Sequence, residues 1–170
     1  TAKIEKAELV SCQDADLVLS VEPGWNNITW TSQTKGNLGS TQSISYTVTS
    51  PDSVLATFSN AKGCKIIRKI AIKISKPELK LPADHYKIMK GGEVQLQVEG
   101  AARYIWTPAA GLNQNDIPNP VASPASTTQY TVTGYDTINC TSQAVVVVTV
   151  EDTAFVPNLF SPNSDGQNDQ

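Results

Sequence analysis

This sequence contains very few of the residue types that perform most chemistry in proteins. It has a single histidine, His85, one methionine and three cysteines among its 170 residues. A serine, histidine and aspartate triad would have to be built on that histidine, and a zinc site needs more ligands than the chain offers at any recognised spacing. No pair of acidic residues stands out as the acid and base of a glycosidase. We therefore expect the chain not to be an enzyme.

Charge and long apolar runs are scarce as well. Charged residues make up 17% of the chain and the net charge is -3, without a basic stripe. Nucleic-acid binding requires concentrated positive charge, so we exclude nucleic acid as a partner.

The longest uninterrupted apolar stretch, residues 144–148, is far short of the roughly 20 residues that span a bilayer. Residues 1–10 lack the basic start and apolar core of a signal peptide. We expect no membrane span and an internal part of a longer protein.

What the sequence does contain is an internal repeat. Adding 76 to a residue number carries Trp30 onto Trp106 and Cys64 onto Cys140. Upstream of the tryptophans the match continues if the first copy has one extra residue within 22–25. A surface turn tolerates such an insertion, whereas a slip inside a strand would exchange its two faces. Small domains repeated in tandem usually serve as structural supports, spacers or binding modules. We expect both tryptophans to lie in the core of their copy.

Strands are predicted throughout the repeat, because apolar residues recur at every second position in short runs bounded by Gly, Pro, Asn and Asp. The predicted strands span residues 17–21, 28–31, 44–48, 54–58 and 66–74, and then 94–98, 104–107, 130–135 and 144–150. No segment has a capped helical pattern. Two sheets with one apolar face each bury those faces by packing together. We therefore predict an all-β protein of two tandem immunoglobulin-like antiparallel β-sandwiches, at residues 1–75 and 76–151, with a tail at 152–170.

The cysteines also follow an immunoglobulin order. In such domains a central tryptophan packs on a disulfide between the sheets, and Cys12, Trp30 and Cys64 occur in that order here. This order predicts a Cys12–Cys64 disulfide; the alternative is a pair of buried, unpaired thiols. In the second copy Met89 matches Cys12, so Cys140 has no partner within its own unit. We expect Cys140 to be a buried apolar filler, with intermolecular pairing as the alternative.

Two segments carry a family resemblance. Residues 104–133 read YIWTPAAGLNQNDIPNPVASPASTTQYTVT. They resemble the Ig-like or PKD-like repeats of large secreted and surface proteins of Bacteroidetes, which favour Trp-x-Pro-Ala-x-Gly-Leu, an Asn-Pro pair and a closing Thr-Thr-x-Tyr-Thr-Val-Thr strand. Residues 155–169 read FVPNLFSPNSDGQND. They are similar to the opening of the gliding motility-associated C-terminal domain, a sorting signal for type IX secretion. Ser164 stands where that family usually has Gly, and the chain stops at Gln170, so most of the sorting domain is absent.

The resemblance implies export across the outer membrane and a secreted or cell-surface location. We therefore predict a non-catalytic extracellular stalk or adhesion module of a large type IX-secreted protein. Its partners would be the neighbouring domains of the same chain, and the type IX machinery if the parent protein has a complete sorting domain. The alternative is a spacer in a secreted multidomain enzyme, such as a polysaccharide hydrolase or a protease. The residues identify no surface glycan or protein ligand.

Calcium is the one cofactor that the sequence suggests. Four oxygen-bearing side chains surround Gly166 in a short loop, as hard cations require: Asn163, Asp165, Asn168 and Asp169. The loop lacks the glutamate that completes an EF-hand, and its alternative interpretation is an Asx-rich turn. Asp14 and Asp16 form a weaker candidate.

Three further positions match the Asp, Ser/Thr, apolar acceptor of Bacteroidetes O-glycosylation, namely Ser53, Thr137 and Thr153. A glycan at an exposed loop would add bulk and solubility.

Between the two copies, the segment at 75–78 is short and contains Pro77, which limits bending. It predicts a semi-rigid rod.

Overall fold

The computed structural model describes residues 2–3 and 7–152 of the chain, and all regular structure in this part is β-strand. Eight strands come first: β1 Ala2–Lys3, β2 Glu8–Cys12, β3 Asp16–Ser20, β4 Asn26–Ser32, β5 Gly36–Gly39, β6 Ser43–Thr47, β7 Asp52–Ser59 and β8 Lys65–Ser75. Six follow: β9 His85–Met89, β10 Val94–Gln95, β11 Arg103–Thr107, β12 Val121–Ala122, β13 Thr128–Tyr135 and β14 Thr141–Glu151. Within the described residues no helix is long and apolar enough to cross a membrane.

The strands form four sheets, two in each half of the chain. In the first half the order β2-β8-β7-β4-β5 faces the order β1-β3-β6. In the second half β9-β14-β13-β11 faces the pair β10-β12. Side chains from both sheets of each half meet in one buried cluster. The predicted pair of immunoglobulin-like β-sandwiches is therefore confirmed, and the halves are called the first and the second sandwich below.

Three strand pairs depart from the antiparallel pattern. The pairs β1–β3, β2–β8 and β9–β14 are parallel, whereas the remaining neighbours are antiparallel. Parallel neighbours need a long crossover connection. For β2–β8 and β9–β14 the rest of the sandwich supplies that connection, because the first strand of the larger sheet pairs with the last.

The two cores are built around equivalent tryptophans. Trp30 and Trp106 are fully buried, which confirms their predicted core positions. Trp30 donates its indole N–H to the backbone oxygen of Thr41 at 2.8 Å, and Trp106 donates to that of Ile117 at 2.9 Å. Both acceptors lie 11 residues downstream. Each indole thus buries its ring while its one polar atom keeps a partner.

The repeat seen in the sequence is also a repeat of structure. β13 and β14 begin and end 76 residues after β7 and β8, and β9 begins and ends 77 residues after β2. The one-residue difference falls between these strands, in the turn at Pro23 and Gly24. The predicted insertion therefore lies outside the strands, where it disturbs no pairing.

One predicted strand is much shorter than expected. Residues 94–98 were predicted to form a strand, but β10 covers only two of them. The backbone N–H groups of Leu96 and Val98 bond instead to the carbonyl oxygens of Pro120 and Pro118. Proline has a carbonyl oxygen that accepts a hydrogen bond but no backbone N–H to donate one. This proline-rich loop therefore cannot pair with residues 96–98 as a regular β-strand.

Candidate functional site: the junction of the two sandwiches

The end of the first sandwich that leads into the second is formed by the last residues of β2 and β8. Cys12 ends β2 and lies opposite Ser75, the last residue of β8. The turn that connects β13 to β14 in the second sandwich ends with Cys140, which is buried. These two features meet at the junction, so the sandwiches contact each other end to end.

A disulfide bond joins the sandwiches across this junction. It links Cys12 to Cys140, with 5.2 Å between the two Cα atoms, and it spans 128 residues of sequence. Cys64 is free and exposed. A covalent link of this kind adds a second connection to the peptide linker, and two connections restrict rotation much more than one.

The predicted Cys12–Cys64 disulfide is therefore wrong, and strand geometry explains why. Cys12 lies opposite Ser75, whereas Cys64 directly precedes the first residue of β8. β8 has 11 residues, so the two cysteines lie at opposite ends of a strand roughly 35 Å long. A disulfide requires Cα atoms within about 7 Å. Cys140 is buried as expected, but the expectation that it is unpaired is wrong, because it lies at the end of its sandwich that faces Cys12.

A hydrogen-bonded turn holds Cys140 in place. Asp136 accepts the backbone N–H of Ile138 at 2.9 Å and that of Cys140 at 2.8 Å through Oδ1. Its Oδ2 accepts the hydroxyl of Ser75 at 2.5 Å, a contact that crosses the junction. The Ser75 hydrogen bond, followed by the two backbone N–H groups, lowers the pKa of Asp136 despite the opposing effect of burial. Asp136 therefore shapes the turn and contacts the first sandwich at the same time.

The linker after Ser75 is fastened to the second sandwich. Pro77 is buried. Leu79 packs against the second core, over Gly134, where a Cβ atom would collide with it. Lys80 exchanges backbone hydrogen bonds of 2.9 and 3.0 Å with Glu99. The linker thus has little freedom of its own.

The junction surrounds a small polar cleft of about 270 Å³. It is lined by Cys12, Gln13, Asp14, Ser75, Lys76, Cys140 and Thr141. Nowhere in residues 2–3 and 7–152 do three histidine, cysteine, aspartate or glutamate side chains converge as metal ligands. The cleft contains neither a histidine nor a free thiol, because its two cysteines are bonded to each other. What the arrangement can do is fix the relative orientation of two domains.

The other predicted residues lie apart from the junction. His85 begins β9 and is exposed, with Nδ1 2.9 Å from Oδ1 of Asp84. Ser53 lies within β7 and is half-buried, so it does not occupy the exposed loop that a glycan requires. Thr137 is exposed in the turn that precedes Cys140. Glycosylation at Thr137 stays a prediction.

Of the two candidate calcium sites, the weaker one lies within the described residues. Asn163, Asp165, Asn168 and Asp169 lie outside the described residues, as does Thr153. Of the weaker pair, Asp16 accepts the Thr47 hydroxyl at 2.6 Å, and Asp14 has a positive φ of 59°. Calcium binding therefore stays a prediction.

A buried carboxylate in the first sandwich was missed by the sequence analysis. Asp52 accepts the hydroxyls of Ser32 and Tyr46, both at 2.5 Å, and that of Thr34 at 2.9 Å. Burial alone would raise its pKa, but these hydrogen bonds, with the N–H of Ser53, lower it from 3.8 to about 2. Burial, and then the bond to Asp52, raise the pKa of Tyr46. The cluster ties β6 of one sheet to β4 and β7 of the other.

A signal for Asp52 was present in the sequence. It stands two residues before Val54 in the alternating run of β7, and is therefore on the inward face. A charged residue at such a position requires partners. The Cys12–Cys140 pair left no comparable signal, because the parallel pairing of β2 with β8, which places Cys12 beside Ser75, is not visible in the local sequence.

Comparisons with known proteins give a likeness of fold only. No protein-family model matches the chain, and no curated protein matches it. Among solved structures, the insect immune protein hemolin is 10% identical with a TM-score of 0.43, over 87% of this chain and 45% of that one. The Bacteroides ovatus SGBP-B of a mixed-linkage glucan utilization locus, solved with a mixed-linkage heptasaccharide, is 16% identical with a TM-score of 0.32, over 84% and 42%. The chain spans less than half of each of these proteins, and likenesses this distant carry no argument about function.

Proposed function

We propose that this chain is a non-catalytic stalk or adhesion segment of a secreted or cell-surface protein. Its two sandwiches, with a boundary between residues 75 and 76, form a rod that holds neighbouring parts of the protein at a fixed distance and orientation. The observation that carries this proposal is the Cys12–Cys140 disulfide across the junction. A bond between two domains is of use where their relative position matters.

The same bond supports a location outside the cytoplasm. Structural disulfides persist in oxidising compartments and are rare in reducing ones. The abundance of serine and threonine and the low charged fraction of 17% fit an extracellular β-sandwich array. The single histidine of the chain is exposed and lies apart from the junction, which fits a role without catalysis.

Type IX secretion is part of this proposal and rests on the sequence motif at residues 155–169 alone. In cells that encode the parent protein, an impermeant amine-labelling reagent should label exposed lysines of the first sandwich, such as Lys62 and Lys65. Inactivation of the type IX translocon should leave the protein inside the outer membrane. Unchanged surface labelling after inactivation would contradict this route of export.

The rod itself is tested by small-angle X-ray scattering of the 170-residue chain. The proteins compared for the effect of the disulfide all carry Cys64→Ser, which prevents dimers through the exposed thiol. The oxidised chain should give a narrow distribution of interdomain distances, because the disulfide and the linker both restrain it. Adding Cys12→Ser and Cys140→Ser should broaden that distribution.

Cys64→Ser alone, compared with the unaltered chain kept monomeric at low concentration, is the matched control and should leave the distribution unchanged. A broad distribution in the oxidised chain would rule out the rod. Equal distributions with and without the bond would show that the disulfide is not what holds the sandwiches in line.

A further inference from the structure

The repeat places Cys64 in the first sandwich where Cys140 stands in the second. Each cysteine ends the turn before the last strand, and each backbone N–H bonds to the residue four positions earlier, Asn60 or Asp136. Cys140 is bonded to the sandwich that precedes it, whereas Cys64 is free and exposed. The bonded copy shows what this position does when a neighbour is present.

Strand geometry places Cys64 at the end of the first sandwich that faces away from the junction. It precedes β8, and the junction lies at the other end of that strand. The turn at residues 60–64 is therefore on an outer end of the two-sandwich unit, in the place that the turn at 136–140 has at the junction. This end of the first sandwich is therefore equivalent to the end of the second sandwich that forms the junction.

We propose that the outer end of the first sandwich receives a further copy of this repeat, whose strand equivalent to β2 ends in cysteine, and that Cys64 forms a disulfide with that cysteine. The inference rests on the proposed stalk and names the partner at one of its ends. The partner is an immunoglobulin-like sandwich with a cysteine at the position of Cys12.

A second contact narrows the chemistry of that partner. At the junction, Asp136 uses Oδ1 for the turn and Oδ2 for the Ser75 hydroxyl. At the outer end, Asn60 uses Oδ1 for the same turn, so its other side-chain atom is the Nδ2 donor. The incoming sandwich should therefore offer an acceptor, a hydroxyl or a carboxylate, at the position of Ser75.

The array also has a direction. Met89 occupies the place of Cys12 in the second sandwich, at the end of β9, and is 56% exposed. Glu151 occupies the place of Ser75, opposite Met89; its Oε1 accepts from Lys87 at 2.8 Å, and Oε2 is the acceptor it offers to a neighbour. The outer end of the second sandwich thus has the acceptor but not the thiol, and the disulfide series stops there.

This difference provides a direct test, because one substitution supplies the missing thiol. The donor chain carries Met89→Cys with Cys64→Ser, and the acceptor is the unaltered chain, labelled with nitrogen-15. Met89 is exposed, so the substitution should not disturb folding. The control donor carries Lys90→Cys with Cys64→Ser, which places an exposed thiol one residue further along.

Donor and acceptor are mixed in a buffer of oxidised and reduced glutathione. The new bond joins two protein sulfurs, and the two electrons and two protons that leave reduce one glutathione disulfide to two thiols. Docking before bond formation raises the effective concentration of the thiols, so we expect the mixed dimer to form about tenfold faster with the Met89→Cys donor than with the control donor. Peptide mapping should place its bond between positions 89 and 64.

Equal rates for the two donors would overturn the inference, because they would mean that the thiols meet by random collision. A dominant Cys64–Cys64 dimer of the acceptor would also overturn it, in favour of a symmetric pair of copies. This test is separate from the test of the stalk. A flexible oxidised chain in scattering would refute the stalk, whereas a rigid chain with no preferred cross-link would refute only this inference.

Discussion

At the scale of single residues, Asp52 shows how the first sandwich accommodates a charge in its interior. Its relative exposure is 8%, and three hydroxyls and two backbone N–H groups, those of Thr34 and Ser53, surround its carboxylate. Tyr46, one of the donors, also carries Lys35 over its ring at 4.4 Å. A buried carboxylate is costly unless its lone pairs are satisfied, and here they are. The lowered pKa means that the folded chain favours the ionised form.

We predict that Asp52→Asn lowers the free energy of unfolding by about 2 kcal/mol at pH 7, which is the value of a pKa moved from 3.8 to about 2. Because the folded pKa lies below the unfolded one, this stability is present above pH 3.8 and is lost as the pH falls through 2. The gap between the unaltered chain and the variant should therefore narrow to about 1 kcal/mol at pH 3. Urea unfolding at both pH values measures the gap.

Asp16→Asn is the matched control for this prediction. Asp16 is exposed and accepts one hydroxyl, that of Thr47. Its replacement should cost less than about 0.5 kcal/mol. A loss as large as that of Asp52→Asn, or a gap that does not change with pH, would contradict the assignment of the buried carboxylate.

The sequence predicted the burial or bonding partner of some residues but not of others. Trp30 and Trp106 were predicted correctly because a repeated tryptophan in an alternating pattern has few places to lie other than the core. Cys12 and Cys64 were paired wrongly because the order of residues along the chain does not specify which end of a strand each one occupies. The inward position of Asp52 was visible in the alternation of β7, but its five hydrogen-bond donors were not, because most of them come from other segments of the chain.

At the scale of elements, the linker between the sandwiches packs as part of the second one. Leu79 occupies the space above Gly134 in β13, and Ala101 lies beside it. The equivalent position in the first sandwich is Phe58, whose ring packs against that of Trp25 at 4.9 Å between centroids. One copy fills this position with its own side chain, and the other leaves it open for a residue of the linker.

We predict that Gly134→Ala destabilises the second sandwich by about 1–3 kcal/mol, because its Cβ would collide with Leu79 and lie 2.8 Å from the Cβ of Ala101. Leu79→Ala removes the closer of these two obstacles and leaves the Ala101 contact. The double variant should therefore lose less stability than the sum of the two single variants, by more than about 0.5 kcal/mol. Thermal or urea unfolding of the four proteins measures this coupling.

Simple addition of the two losses would contradict the packing of the linker onto Gly134. Leu55→Ala, a half-buried position in β7 of the first sandwich, is a suitable partner for a control cycle with Gly134→Ala. The two positions share no contact across the sandwiches, so their effects should add.

The elements themselves were largely predictable. Long strands such as β7, β8, β13 and β14 alternate clearly, because one face lies on the core, and they were predicted to within a few residues. The strands that were missed are short or lie at sheet edges, such as β5 and β12. Their position depends on the pairing of distant segments, which leaves little trace in local sequence.

At the scale of the whole molecule, the way the two sandwiches are held together depends on which cysteines are joined. The repeat predicts two copies but not how they meet, because the contact between them uses only a few residues at the ends of strands. A Cys12–Cys140 bond makes one stapled unit of the two sandwiches, and it leaves Cys64 exposed for a further copy. A bond within the first sandwich would leave only the linker contacts and the Ser75–Asp136 hydrogen bond at the junction.

The most direct measurement is peptide mapping of the unreduced, monomeric chain by mass spectrometry, with free thiols alkylated before digestion. We expect the peptide containing Cys12 to be linked to the peptide containing Cys140, and Cys64 to carry the alkyl group. A link between Cys12 and Cys64, or alkylation of all three cysteines, would contradict this pairing.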